Sequence, residues 1–198
     1  MGDLQVTQLL ELANTRHRSG DGEAPADDAH DHLATAESAG AYLAAAGFTI
    51  PEGPLTEVQL TRLRELRDLS SSVLDVPADR WRAAVASAAT RHLFRFDERG
   101  QAVPADSGWD GFIAGFVPVL FELVAQADRL RRCASPTCRW LFLDRSKNHS
   151  RVWCEMASCG SRAKMRRYRD RRAASADAHG PGTTTIGGPV HGFADTEA

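Results

Sequence analysis

The sequence predicts a mainly α-helical N-terminal domain with one small β-hairpin, followed by a small C-terminal four-cysteine module made of a β-hairpin and a helix. Three observations carry this expectation. Apolar residues recur at helical spacing through most of residues 1–128. All four cysteines lie close together, in the doubled spacing Cys133-x4-Cys138 and Cys154-x4-Cys159. The charge is divided in the same place: residues 1–128 carry 10 basic and 20 acidic side chains, and residues 129–172 carry 14 and 3, although the 198-residue chain has a net charge of only −2. The expected parts are therefore 1–128, 129–174 and a tail, 175–198.

The helices follow from their apolar stripes and punctuation. Residues 5–18 read as a first helix through Leu9, Leu10, Leu12 and Ala13, and the acidic stretch GDGEAPADDAHDH (20–32) reads as a loop. Thr35 is expected to cap a helix running to Ala46, with Tyr42 and Leu43 inward and Gly47 at the residue after the C-cap. Thr56–Val76 follows, with Val58, Leu63, Leu66, Leu69 and Val73 on one stripe and Arg62, Arg64 and Arg67 mostly off it. Pro77 opens a fourth helix carrying Trp81, Val85, Ala88, Ala89 and Leu93. LFRFDERGQAVPA reads as a hairpin turning at Asp97–Gly100. Trp109–Leu130 reads as a long apolar helix that Pro118 interrupts. The tail from Ser175 is rich in Gly and Thr, has little to bury, and is expected to be disordered.

Several function classes find no support. No run approaches the eighteen or so consecutive apolar residues of a membrane span, so no membrane partner is expected. The start, MGDLQVTQLLELANTRH, lacks a basic segment leading into an apolar one, which points to the cytoplasm rather than to secretion. No Gly-rich phosphate loop, G-x-S-x-G or H-E-x-x-H occurs, so no catalytic residue is assigned and an enzyme is not expected. His17, His30, His32 and His92 fit no ligand spacing, and Trp81 and Trp109 are expected in the core.

Cysteines in a reducing compartment bind metal more often than they pair as disulfides. Two close pairs separated by residues 139–153 suit a tetrahedral zinc ion, with Cys133, Cys138, Cys154 and Cys159 as ligands. Four thiolates leave no open position for water, so the one Zn2+ is expected to be structural. The spacer is expected to form the hairpin, RWLFLDRS going out and SRVWC returning, with Trp140 and Phe142 on one side and Leu141 and Leu143 on the other. Gly160 would turn the chain and Ser161 cap a helix from Arg162 to about Ala174. On that helix Arg162, Arg166 and Arg169 share one face and Lys164, Arg167 and Arg171 the other, with Met165 and Tyr168 between them to pack near Trp140 and Trp153. These six cations, with Arg172, are the candidate nucleic-acid contacts, duplex DNA being the expected partner. An RNA-binding or protein-interaction module would use the same helix. A thiol-based redox sensor would be expected to show C-x-x-C, which is absent.

LRRCASPTCRWLFLDRSKNHSRVWCEMASCGSRAKMRRYRDRR closely resembles the CGNR zinc finger, through Cys133, Cys138, WLFLD, Trp153-Cys154 and Cys159-Gly160-Ser161-Arg162; position 161 is Ser where the motif has Asn. LLELANTRHRSGDG, LATAESAGAYLAAAG and LTEVQLTRLRELRDL resemble, in order and position, the ABATE domain that accompanies this finger. The resemblance implies a DNA-binding regulator of stress-induced transcription, cytoplasmic and nucleoid-associated. Its N-terminal domain would sense a small-molecule or protein effector, or pair subunits into a homodimer.

Overall fold

The computed structural model describes residues 3–18 and 29–178. In order, the elements are α1 (Asp3–Ala13), β1 (Arg16–Arg18), β2 (Ala29–Asp31), α2 (Ala36–Ala45), α3 (Glu57–Ser72), α4 (Ala78–Ala89), β3 (Phe94–Phe96), β4 (Ala102–Pro104), α5 (Gly108–Ala125), β5 (Leu130–Arg132), β6 (Leu141–Leu143), a π-helical turn (Met156–Gly160) and α6 (Ser161–Ala178). The strands form three two-stranded antiparallel hairpins, β1–β2, β3–β4 and β5–β6. By packing, the chain divides into one unit through Gly160 and another from Ser161 onward.

Local chemistry explains most helix limits. Thr35 and Ser38, and Thr56 and Gln59, form reciprocal capping boxes that satisfy donors at the starts of α2 and α3. Gly47 follows α2 at φ +80°, a conformation that glycine adopts at little cost. Pro77 precedes α4, where its missing N–H is no loss. The hairpin expected around Asp97–Gly100 is β3–β4, with Phe94 opposite Pro104.

The core of the first unit is a triangle of α1, α3 and α5, with α4 laid on α5. Leu9, Leu12, Leu43, Leu60, Leu63, Leu120 and Leu123 are fully buried in it. Trp81 and Trp109 join this core, their indole N–H groups donating to the carbonyls of Leu69 and Gly53. α5 is, among the described residues, the one helix long and apolar enough to cross a membrane by length and composition. It packs against α1, α3, α4 and β4.

In the first unit the structure corrects these five sequence expectations. The first helix ends at Ala13, and Arg16–Arg18 pairs as a strand with Ala29–Asp31, so the end of the presumed loop is ordered; residues 20–28 of that loop lie outside the described residues. The third helix stops at Ser72, short of Val76. Arg67, placed off the apolar stripe, is buried and bonded to Asp31 at 2.7 Å and Asp68 at 2.9 Å. The long apolar helix stops at Ala125, and a tight turn then feeds β5. Leu130 thus becomes a strand residue opposite Leu143.

The fifth correction concerns the finger hairpin. β6 pairs with β5, not with SRVWC, because Asp144 and Arg151 direct the chain elsewhere. The Asp144 carboxylate accepts from the backbone N–H of Ser146 at 2.9 Å and of Arg151 at 2.8 Å, closing residues 144–151 into a loop. Only Val152 of the expected return strand bonds alongside, its carbonyl accepting from Ala134 N–H at 2.8 Å.

Strand periodicity then gives β6 two jobs. Leu141 and Leu143 point into the helical core, while Phe142 lies with the cysteines. The outer edge of β6 is closed by Asn14, just beyond α1. Its Nδ2 donates to Leu141 O at 2.9 Å and its Oδ1 accepts from Leu141 N–H at 2.8 Å, both bonds buried. The amide thus does what another strand would do. Asn14→Ala leaves a buried N–H and C=O without partners and is expected to destabilise the first unit by about 2–4 kcal/mol. Urea unfolding of the zinc-loaded chain measures it.

Candidate metal centre and basic helix

The four cysteines reach one point from two different backbone devices. In the first, Cys133 N–H donates to Trp140 O at 2.7 Å, and the amides of Cys138 and Arg139 both donate to Ser135 O, at 3.1 and 3.2 Å. This turn is completed by Arg139 in the left-handed region, φ 59°. In the second, Cys159 lies within the π-helical turn and Cys154 just before it; Gly160 N–H donates five residues back to Glu155 O at 3.1 Å. A π-turn brings residues five apart together, which suits an x4 spacer. The same sequence spacing is therefore met by a reverse turn once and by a π-turn once.

All four Sγ atoms lie within 4.8 Å of one another, with Cys138–Cys154 at 3.6 Å and Cys154–Cys159 at 3.7 Å. Sulfurs at the corners of a tetrahedron with Zn–S of about 2.3 Å stand about 3.8 Å apart. No disulfide joins the four cysteines, and His149, at φ 48° in the 144–151 loop, is not part of the cluster.

Ionising the cluster calls for a cation. Burial, together with the neighbouring thiols, pushes Cys138 up to about 11. Burial likewise raises Cys154, and the bond and charge from Cys138 add to it. Four thiolates in so small a volume ionise together only when a divalent ion offsets their charge. The donor set thus fits one structural zinc ion, which supplies cross-linking and no open coordination position.

The surroundings hold the ligands in place. Phe142, Trp140 and Trp153 pack on the cysteines. The Arg151 guanidinium lies 5.1 Å from the centre of the Phe142 ring and donates to Cys154 O. Arg132 ties the β5 end to α3, donating to Ser71 O at 2.7 Å and pairing with Asp75 at 2.6 Å. Gly160 is not in the left-handed region; a Cβ there would meet Met156 Sδ, on an exposed and movable side chain, and lie 3.4 Å from Trp153 Cδ1. Asn14 and Asp144 were missed in the sequence, and Arg132 is legible there as a cation beside the cysteines but not as a tie to α3. An Asn directly after an apolar helix, and an Asp two residues before a Ser, were the available signals.

α6 opens at Ser161 immediately after the π-turn, so Ser161 is not an N-cap, and the helix continues to Ala178, past the expected end and into the presumed tail. Residues 179–198 of that tail lie outside the described residues. Lys164, Arg167, Arg169, Arg171 and Arg172 are exposed; Arg162 and Arg166 are half-buried. Met165 and Tyr168 keep about half of their surface, and Arg172 lies over the Tyr168 ring. Among the described residues no ion pair engages Lys164, Arg166, Arg167, Arg169, Arg171 or Arg172.

A helical domain joined to a four-cysteine finger that ends in a basic helix defines a zinc-finger protein. Family comparison agrees: residues 129–172 match the CGNR zinc finger, and residues 8–130 match ABATE, described as "Putative stress-induced transcription regulator". The second match spans more than half of the sequence, and the chain belongs to the ABATE family. Comparison with the curated proteins finds no match.

Because β6 serves core and metal site together, zinc removal is expected to lower the unfolding temperature of the helical core as well as of the finger. Calorimetry with and without chelator should show one transition moving down for the whole first unit. Cys133→Ser and Cys159→Ser should behave like the chelated protein, and elemental analysis should find one zinc per chain.

Burial alone would raise the Asp144 carboxyl, but its bonds with Ser146 and Arg151, with the charge of His149, hold it down to about 2. A carboxylate depressed on folding stabilises above its unfolded pKa and loses that contribution as pH falls through its folded one. Asp144→Asn is therefore expected to lower stability near pH 6, with the gap from the parent closing between about pH 4 and pH 2. Unfolding of parent and variant, each in chelator, across that range checks it.

Proposed function

We propose that this chain is a DNA-binding transcriptional regulator acting in the cytoplasm at the nucleoid, with α6 as its DNA-contacting element and zinc as scaffold. The carrying observation is α6 itself, which presents seven cations against Asp170 and Asp177. Cations lie around the whole helix, with no continuous apolar stripe, so its free surface suits a phosphate-lined groove better than an apolar partner. The family description supports transcription as the process. The reading is that of a binding protein: four thiolates leave no site for a reacting water, and the helical unit would sense an effector or pair subunits.

The decisive experiment is duplex binding by the zinc-loaded full chain across a salt series, with structured RNA as competitor. Neutralising roughly four to seven phosphates gives a log–log slope of about −0.9 for each. Arg166→Ala with Arg169→Ala should weaken binding and flatten the slope by about two such steps. Affinity that ignores salt, or RNA that displaces the duplex at equal concentration, would remove the proposal.

A further inference from the structure

Beside the zinc cysteines lies a cavity of about 250 Å3. It is formed where the end of α1, the second half of α3 and the finger loop meet, and Cys138 is part of its wall. Its charged lining is four guanidinium groups, Arg16, Arg67, Arg132 and Arg139, and one carboxylate, Asp68. Two of the four are committed. Arg67 is held by Asp31 and Asp68, and Arg132 by Asp75 and Ser71. Arg16 and Arg139 are exposed, and among the described residues neither side chain has an ion pair or hydrogen-bond acceptor. Trp140 adds an aromatic surface to the same wall.

Arg139 is the telling residue. Its φ of 59° is the conformation in which glycine is cheapest, yet the position carries a long cation facing a cavity. Backbone strain retained at a concave site points to use of the side chain. The committed pairs fix the shape of the wall, and the two uncommitted guanidiniums supply its unmatched charge. Guanidinium forks match the oxygens of a phosphate, and a volume just below the usual 300–1,000 Å3 range suits a small molecule attached to it.

We infer that this cavity binds the phosphate group of a small phosphorylated molecule, held by Arg16 and Arg139, with its organic part against Trp140. The site uses no residue of α6 and does not depend on the proposed DNA contacts. Its position against Cys138 and Asn14 would let occupancy bear directly on the finger.

The test uses the zinc-loaded full chain at low salt and calorimetry with adenosine 5′-monophosphate, inorganic phosphate and, as the phosphate-free control, adenosine. Saturable one-to-one binding of the monophosphate, weaker binding of phosphate and none of adenosine are expected. Arg16→Gln and Arg139→Gly should each weaken the monophosphate by roughly tenfold or more. Arg139→Gly should also keep or raise the unfolding temperature and retain one zinc, which separates loss of the site from loss of the fold. Arg166→Gln should leave the monophosphate unaffected. Absence of binding, binding indifferent to the first two variants, or equal loss with Arg166→Gln would each overturn the inference. So would Arg139→Gly loosening zinc while leaving the monophosphate untouched, since Arg139 would then only offset thiolate charge. A duplex arm separates the two sources of phosphate: if both variants weaken duplex binding and the monophosphate displaces the duplex, the cavity takes the DNA backbone and the small-molecule site is wrong.

Discussion

Everything in the first unit depends on one three-residue strand that faces two ways. Leu141 and Leu143 complete the helical core, and Phe142, between them, floors the metal site. A strand this short has little stability of its own, and β5 pairs only one of its edges. Asn14 closes the other with both halves of its amide. A change in the register of β6 by one residue would exchange leucines and phenylalanine between core and zinc. The metal site and the helical core therefore specify each other's geometry.

That coupling explains why a finger of this size needs so few strands. A small module cannot bury enough apolar surface to fold alone, and zinc ordinarily makes up the difference. Here the deficit is shared: zinc holds the Cys133–Cys138 loop and the π-turn, while α1, α3 and α5 hold the hairpin. Arg132 and Asp75 extend the connection to the end of α3. A sensing role for the helical unit would have this direct mechanical route to the cysteines.

Charge is organised around the same junction. Cys138 and Cys154 resist ionisation when no cation is near, so four thiolates at this point go together with a bound divalent ion. The arginines on the wall beside Cys138 are partly matched by Asp31, Asp68 and Asp75, and partly left over. α6 carries the remaining excess on a helix with few acids.

Residue chemistry alone determined the helical class, the two capping boxes begun by Thr35 and Thr56, the β3–β4 turn, the core tryptophans and the convergence of the four cysteines. These are local or pairwise properties: helical stripes, side chains that cap the nearest amides, and thiols whose spacing suits a single ion. The alternation of Leu141, Phe142 and Leu143 was legible as well, because a strand has a period of two whichever neighbour it pairs with. The partner of that strand was not legible, since hydrogen-bond pairing joins Leu130–Arg132 to it across the 133–140 loop, which includes Arg139 at positive φ, while Asp144 gathers the amides of Ser146 and Arg151 and turns the following residues away. The helix ends at Ala13 and Ala125 were hidden because long-range pairing set them: Asn14 bonds to Leu141, Arg16–Arg18 pair with Ala29–Asp31, and Leu130 pairs with Leu143. Only the folded chain decided which arginines are committed. Arg67 and Arg139 look alike in sequence, but one meets two carboxylates in a buried contact and the other meets a cavity, and that difference is set by what the fold brings within 3 Å of each guanidinium.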